Sequence, residues 1–274
     1  MILVGGKAGA QSFLALILNF GLLYLAIVLV AFHFSPLIVT LVVGMLVLAL
    51  TIFMSSGDDL SSTVAFIASA VVLVVLIALI VPVEHWALVQ GFGPEDSEDL
   101  EGLSVLVGIN FIQVSTATAI LSTLGAIAEA AMAIAAGLSE ILEQHPQVPL
   151  NDLLKDGIDV GKQIIGTTFN TLFFGFFGGF LALFIWFTGV HYSFGEILND
   201  KIFVAEILMI LYAMVSVILT VPITTWVMTR AVAGKRKRAA KEETPKWRLI
   251  KNGSEKLCAL YVRLKISELW EQEI

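Results

Sequence analysis

The chain up to Thr229 is a succession of long apolar runs separated by short polar breaks. A helix needs about 20 predominantly apolar residues to cross a hydrocarbon core of roughly 30 Å. Six runs meet that length, near residues 12–33, 37–54, 63–83, 102–124, 161–187 and 202–229. Phe34-Ser35-Pro36 supplies a tight turn after the first, and Ser55-Ser56-Gly57-Asp58-Asp59 breaks the pattern after the second. Pro82 and Glu84 mark the end of the third. None of the runs alternates apolar with polar positions, so the pattern describes helices and disfavours a closed barrel. The first run is too long for a signal-peptide core and has no A-x-A-like cleavage site after it, so it reads as a retained helix.

The stretch 125–142 is ambiguous. It is rich in Ala and carries Glu129 and Glu140, with Glu143 just beyond. It reads either as a seventh span or as an amphipathic helix on the membrane surface, and charge distribution chooses between the two. Twelve of the sixteen Lys and Arg residues lie at or beyond Arg230, after the last apolar run. Basic residues flanking membrane helices stay on the cytoplasmic side. With the C-terminus inside and 125–142 on the surface, Lys7, Lys155 and Lys162 also fall inside, and only Lys201 falls outside. The expected architecture is therefore an all-α polytopic transmembrane helix bundle of six spans, with both termini inside and a cytoplasmic amphipathic helix at 125–142 between spans 4 and 5. The bundle occupies 1–234 and a basic cytoplasmic tail occupies 235–274.

Composition sharpens this picture. The chain is 58% hydrophobic and only 14% charged, where a soluble domain is nearer a quarter charged. Its net charge of −7 combines an acidic loop, Pro94-Glu95-Asp96-Ser97-Glu98-Asp99-Leu100-Glu101, with the basic tail. Lys235, Arg236, Lys237 and Arg238 adjoin the membrane, where each basic residue near anionic lipid contributes about 1 kcal/mol of attraction. They read as a topology anchor or a lipid-facing patch. Beyond Pro245, Leu257, Leu260, Tyr261 and Leu264 recur at helical spacing after Ser254, describing a short amphipathic helix. Cys258 is the sole cysteine, so no internal disulfide framework exists.

Enzyme motifs are missing: there is no P-loop, dinucleotide fingerprint, H-E-x-x-H or G-x-S-x-G. His33, His85, His145 and His191 sit at span ends or in loops without metal-ligand spacing. The expectation is a non-enzyme with no catalytic residue, metal, cofactor or nucleic-acid partner. The informative residues are polar groups at membrane depth, because an unpartnered buried amide costs several kcal/mol. Asn110, Gln113 and Thr116 follow at three-residue intervals on the fourth run. On the fifth, Asn170 neighbours Thr167, and Thr167, Thr171, Gly175 and Gly178 share a face of small side chains extended by Gly179. The two stripes either hold helices together or line a polar passage. Glu206, early in the sixth run, reads as an acid reaching the headgroups or as a functional group. Glu129 reads as a solvated carboxylate or as an acid acting at the inner end of a passage.

The segments Asn110-Phe111-Ile112-Gln113, Gly125-Ala126-Ile127-Ala128-Glu129-Ala130-Ala131-Met132-Ala133-Ile134 and Gly161-Lys162-Gln163-Ile164-Ile165-Gly166-Thr167-Thr168-Phe169-Asn170-Thr171-Leu172 resemble the YibE/F family of bacterial membrane proteins. The chain has Glu129 where many members carry Asp, and Lys162-Gln163 where many carry Arg-Asp. The resemblance implies a multi-pass plasma-membrane protein and, as partner, a paralogous YibE/F-type protein or a second copy. It implies no activity.

These readings converge on a permease- or channel-like subunit, with Asn110, Gln113, Thr116, Thr167, Asn170 and Thr171 along the path. Glu129 stands at the path's cytoplasmic end, and Gly175, Gly178 and Gly179 serve helix packing. The alternative is a non-transporting scaffold of an envelope complex.

Overall fold

The structure, a computed structural model, describes residues 2–55, 59–89 and 110–271. Among these it contains helices and no strand. They are α1 (Ile2–Ala31), α2 (Pro36–Ser55), α3 (Asp59–Ala87), α4 (Phe111–Gln144), α5 (Leu150–Gly179), α6 (Leu181–Gly189), α7 (Phe194–Asn199) and α8 (Lys201–Glu271). Among the described residues five helices are long and apolar enough to cross a bilayer, and a sixth crossing is made where the bent pair α5–α6 is one broken span. The expected all-α polytopic bundle is what the chain forms. Its compact unit ends at Thr229, and Arg230–Ile274 forms a second unit, described by the continuation of α8 alone.

Large apolar side chains cover the outside. Phe20, Tyr24, Ile27, Val74, Phe174 and Ile185 are all exposed. That inversion of the soluble pattern is what a surface solvated by lipid tails requires.

Two helix ends show how the spans stop. After α1, His33 takes a left-handed conformation (φ 64°). The His33 N–H donates to the Val30 carbonyl and the Phe34 N–H to the Leu29 carbonyl, which satisfies the last carbonyls of the helix. After α6 the same arrangement recurs at His191 (φ 60°), with Tyr192 N–H reaching Phe187. Glycine usually fills that position, so two of the span-end histidines hold a backbone shape that ordinarily disfavours side chains.

Four sequence expectations change. The stretch 125–142 is not a separate surface helix: α4 runs unbroken from Phe111 to Gln144. Ala126, Ile127, Ala130, Ala131, Ile134 and Leu138 are buried, so its alanine-rich face is packed inside the bundle. At 1.5 Å per residue α4 is about 51 Å long, more than a bilayer's hydrocarbon thickness. The helix also starts later than residue 102, because Asn110 is extended and its side-chain oxygen accepts hydrogen bonds from the Ile112 and Gln113 amides. The acidic loop and 102–109 lie outside the described residues.

The third span does not stop at Pro82 and Glu84; α3 continues to Ala87. Pro82 removes one intrahelical hydrogen bond without ending the helix, as neighbouring helices in a bundle allow. The fifth span is not continuous. After Gly178-Gly179 the chain breaks at Phe180, and α5 and α6 meet at 51°. Paired glycines weaken the helix there through backbone entropy.

Packing is closest where α5 meets α8. A side chain at Gly161 would overlap Val221, and one at Gly157 would overlap Thr225 and press on Leu138 of α4. Around this contact, Ala126, Ala130, Ala213 and Val217 form a buried cluster covered by Ile164, Ile165, Phe169 and Leu172. On the other side of the bundle, Leu124 of α4 sits against Gly44 of α2, and Ala26, Val39 and Val43 join α1 to α2.

Candidate functional site

The most unusual side chain in the interior is Glu84. It is 1% exposed, three residues before the end of α3. Its two oxygens are met separately. Tyr212 of α8 donates its phenolic O–H to Oε1 at 3.1 Å, and Ser115 of α4 donates its hydroxyl to Oε2 at 3.0 Å. Three helices distant in sequence thus converge on one carboxyl group. Charged groups inside membrane bundles are costly, face the interior and are paired; here both partners are neutral hydroxyls. Pro82, two residues earlier, leaves the carbonyl of Ala78 without its usual helical donor.

Below Glu84, α8 presents hydroxyls at a fixed interval. Tyr212, Ser216, Thr220 and Thr224 are spaced by four residues, so each neighbours the next along a stripe that winds by about 40° per step, and all are buried. Ser216 and Thr220 donate to carbonyls of their own helix, at Ala213 and Ser216. Thr225 and Thr229 do likewise, at Val221 and Thr225. Thr224 does not: its Oγ1 is buried without a hydrogen-bond partner. Ser69 of α3, fully buried, has an equally unpartnered Oγ.

The residues singled out from sequence are placed differently. Asn110 is the N-cap of α4, and with Gln113 it lines a shallow cleft beside the α1–α2 turn at His33, Phe34, Ser35 and Pro36. Thr116 is buried and donates to the Ile112 carbonyl of its own helix. On α5, Thr167, Asn170 and Thr171 are exposed, and both threonine hydroxyls return to backbone carbonyls of α5. The residues that pack α5 on the bundle are instead Ile164, Ile165, Phe169 and Leu172. The stripes of α4 and α5 therefore do not form one shared surface. Gly175, Gly178 and Gly179 are open as well, since a side chain there would touch nothing within 4 Å. The glycines that admit a neighbouring helix are Gly157 and Gly161.

Glu129 is exposed and lines a groove of about 290 Å³ between α2 and α4, with Val47, Leu48, Thr51, Leu124, Gly125, Ala128 and Met132. Thr51 in that groove accepts a hydrogen bond from the Asn19 amide at 2.8 Å, while the Asn19 Oδ1 is buried and unpartnered. Glu206 is partly buried, six residues before Tyr212 on α8. Lys235, Lys237 and Arg238 are exposed on the continuation of α8.

Sequence reading missed Glu84 and its two hydroxyl partners. The available signal was the four-residue repeat Tyr212, Ser216, Thr220, Thr224 within an apolar run, more regular than the stripe on α4. The Gly157-x-x-x-Gly161 pair was equally visible as a close-packing pattern, but Gly157 precedes the start assigned to the fifth span, and only Gly161 falls within it. Among the described residues, no group of three or more His, Cys, Asp and Glu side chains is placed to hold a metal ion.

Neither the curated proteins nor the solved structures compared with the chain include a match. The sequence pattern described as YibE/F-like protein, in contrast, matches residues 1–234, which takes in α1 to α7, the apolar part of α8 and the Glu84 site. On that match the chain, a multi-pass membrane protein, belongs to the YibE/F-like family.

Proposed function

We propose that the protein is a permease- or channel-like subunit that moves a small ion or solute, with Glu84 as its ion-binding group. The observation that carries this reading is the burial of Glu84 at the junction of α3, α4 and α8, with a neutral hydroxyl on each carboxylate oxygen. A bundle held together by packing alone has no need of such a group, because a well-packed apolar residue is usually at least as stabilising as a buried charge. Ionisable groups retained in membrane interiors mark ion and proton pathways. The path implied lies within the α3–α4–α8 interior and not between α4 and α5.

The basic tail supports a plasma-membrane orientation with the C-terminus in the cytoplasm, where Lys235, Arg236, Lys237 and Arg238 meet anionic lipid. In that orientation α3 ends, and α4 and α8 begin, toward the outside, which puts Glu84 in the outer half of the bundle. Reconstitution tests the reading. Purified protein in liposomes is expected to pass protons or alkali cations down an imposed gradient, and Glu84→Gln to abolish the flux while remaining monodisperse. Equal flux in the variant, or none above empty liposomes in the wild type, removes Glu84 from this role.

A second reading, a scaffold or partner subunit, is favoured by the α5 face. Asn170 is a bilayer-depth amide left exposed beside Gly166, Thr167 and Thr171, and a paralogous protein or a second copy would cover it. Disulfide crosslinking through Asn170→Cys in a Cys258→Ser background tests this. A crosslinked dimer favours it, and an exclusively monomeric product at saturating oxidant removes it.

A further inference from the structure

We infer that the species handled at Glu84 is the proton, and that it travels along the hydroxyl column of α8 from Tyr212 to Thr224. The inference rests on the proposed role of Glu84 and adds the ion's identity and its route.

The identity follows from the donor set. Both groups that reach Glu84 do so as O–H donors, one on each carboxylate oxygen. A calcium-sized cation takes six to eight oxygens offered as acceptors, whereas both hydroxyls at Glu84 are spent as donors. A proton needs only one oxygen, and its arrival rearranges little: one carboxylate oxygen becomes O–H, and the hydrogen bond on that oxygen reverses, with Ser115 or Tyr212 now accepting. Release restores the original bonds, so no other covalent bond changes. Of the described titratable groups on the three helices, only Tyr212 bonds to Glu84. His85 beside it and Glu129 on α4 are exposed, and Glu206 stands partly buried six residues up α8.

The route follows from the orphaned hydroxyls. Successive rungs of the α8 column rise about 6 Å, and Tyr212 to Thr224 spans about 18 Å, more than half of a hydrocarbon core. Hydroxyls that far apart do not bond directly, so water must join them. Ser216 and Thr220 spend their protons on backbone carbonyls, which leaves each oxygen free to accept from such a water, so these hydroxyls hold the waters in place and the proton passes from one water to the next. Thr224 is the telling rung. The carbonyl of Thr220 lies one turn back, where the equivalent carbonyl satisfies its neighbours Thr225 and Thr229, yet its hydroxyl is turned away from it and has no partner. A buried hydroxyl left in that state is a group that an internal water would satisfy. Ser69, also fully buried and unpartnered, supplies a second such group on α3.

The test uses full-length protein in liposomes carrying an internal pH dye, with a proton gradient imposed across them. Thr220→Val and Thr224→Val keep shape and remove the hydroxyl; Thr220→Ser and Thr224→Ser restore it. Each valine variant is expected to slow proton flux roughly tenfold, the rate equivalent of a single lost hydrogen bond, and each serine variant to recover most of it. A purely packing role would not be rescued by serine. Valine variants that match the wild type, while Glu84→Gln is inactive, overturn the route and leave Glu84 in place. Flux of an alkali cation that is indifferent to the proton gradient overturns the proton assignment. Undiminished flux in Glu84→Gln removes the underlying reading itself.

Discussion

The α3–α4–α8 interior and the outer face of α5 both carry polar residues at membrane depth, and they solve that problem in opposite ways. In the interior, Glu84 is satisfied by side chains from two other helices, so its position depends on the whole tertiary arrangement. On α5, Thr167 and Thr171 are satisfied by their own helix, and a side chain added at Gly175, Gly178 or Gly179 would meet open space. A group held by its own helix tolerates whatever lies outside it. One held by three helices is coupled to any movement among them. The interior is therefore where a binding event can be transmitted, and the α5 face is where another molecule can be accepted without rearrangement.

Substitutions separate the two regions sharply. Glu84→Ala leaves the Tyr212 and Ser115 hydroxyls unpartnered in the interior; at about 1–3 kcal/mol for each orphaned group, the loss is roughly 2–6 kcal/mol. Thermal unfolding in detergent measures it, and a variant within experimental error of the wild type contradicts the burial argument. Gly161→Leu drives a side chain into Val221, and overpacking of this kind destabilises by about 1–3 kcal/mol or more. Tyr212→Phe removes a single donor from Glu84 and is expected to lie near 1–3 kcal/mol. Additive losses in Glu84→Ala combined with Tyr212→Phe would show that the hydrogen bond contributes nothing.

On the α5 face the sign reverses. Gly175→Ala and Gly178→Ala add helix propensity without a clash, so each stabilises the isolated chain by up to about 1 kcal/mol. If that face receives a partner, the same changes weaken the assembly while stabilising the chain, which native gel electrophoresis beside thermal unfolding resolves. The smallest effect lies in the α6–α8 connection. The backbone N–H and hydroxyl of Ser193 hold the Glu196 carboxyl below its usual range, closing a capping box on α7. A carboxyl lowered in the folded state stabilises when ionised, so that support is present above the ordinary carboxylate range and disappears as pH falls through the lowered value. Protection of the Phe194–Asn199 amides, taken relative to the unstructured exchange rate at each pH, should therefore fall only under strong acid, and Glu196→Gln should remove that pH dependence.

What could be read from sequence follows the range of the forces involved. The existence of the apolar runs, the turn at Phe34-Ser35-Pro36 and the span-end histidines His33 and His191 are local features that appear where the pattern puts them, while several run boundaries move. Glu84 was legible only as a residue near the end of an apolar run, where a charge ordinarily marks exit from the hydrocarbon. Its partners lie 31 and 128 residues away, and no local pattern announces them. The boundary assigned at residue 124 failed for a related reason. Alanine-rich sequence with scattered carboxylates is equally suited to a surface and to a tightly packed helix, and tertiary contacts with Val217 and Ala213 decide for packing. The family-marking residues Asn170 and Thr171 were visible in sequence, but the direction they face depends on which side of α5 meets α8, and Gly157 and Gly161 set that.

The central claim is that Glu84, and not a residue of the exposed surfaces, is the group that takes up and releases a proton. Infrared difference spectroscopy of the protein in bilayers, recorded across a pH titration, tests it directly by following the carboxylic C=O band. The account predicts a pH-dependent band from a buried carboxyl that disappears in Glu84→Gln, persists in Glu129→Gln and changes frequency in Tyr212→Phe. A band that survives in Glu84→Gln, or vanishes in Glu129→Gln, would contradict it and place the working carboxylate in the α2–α4 groove instead.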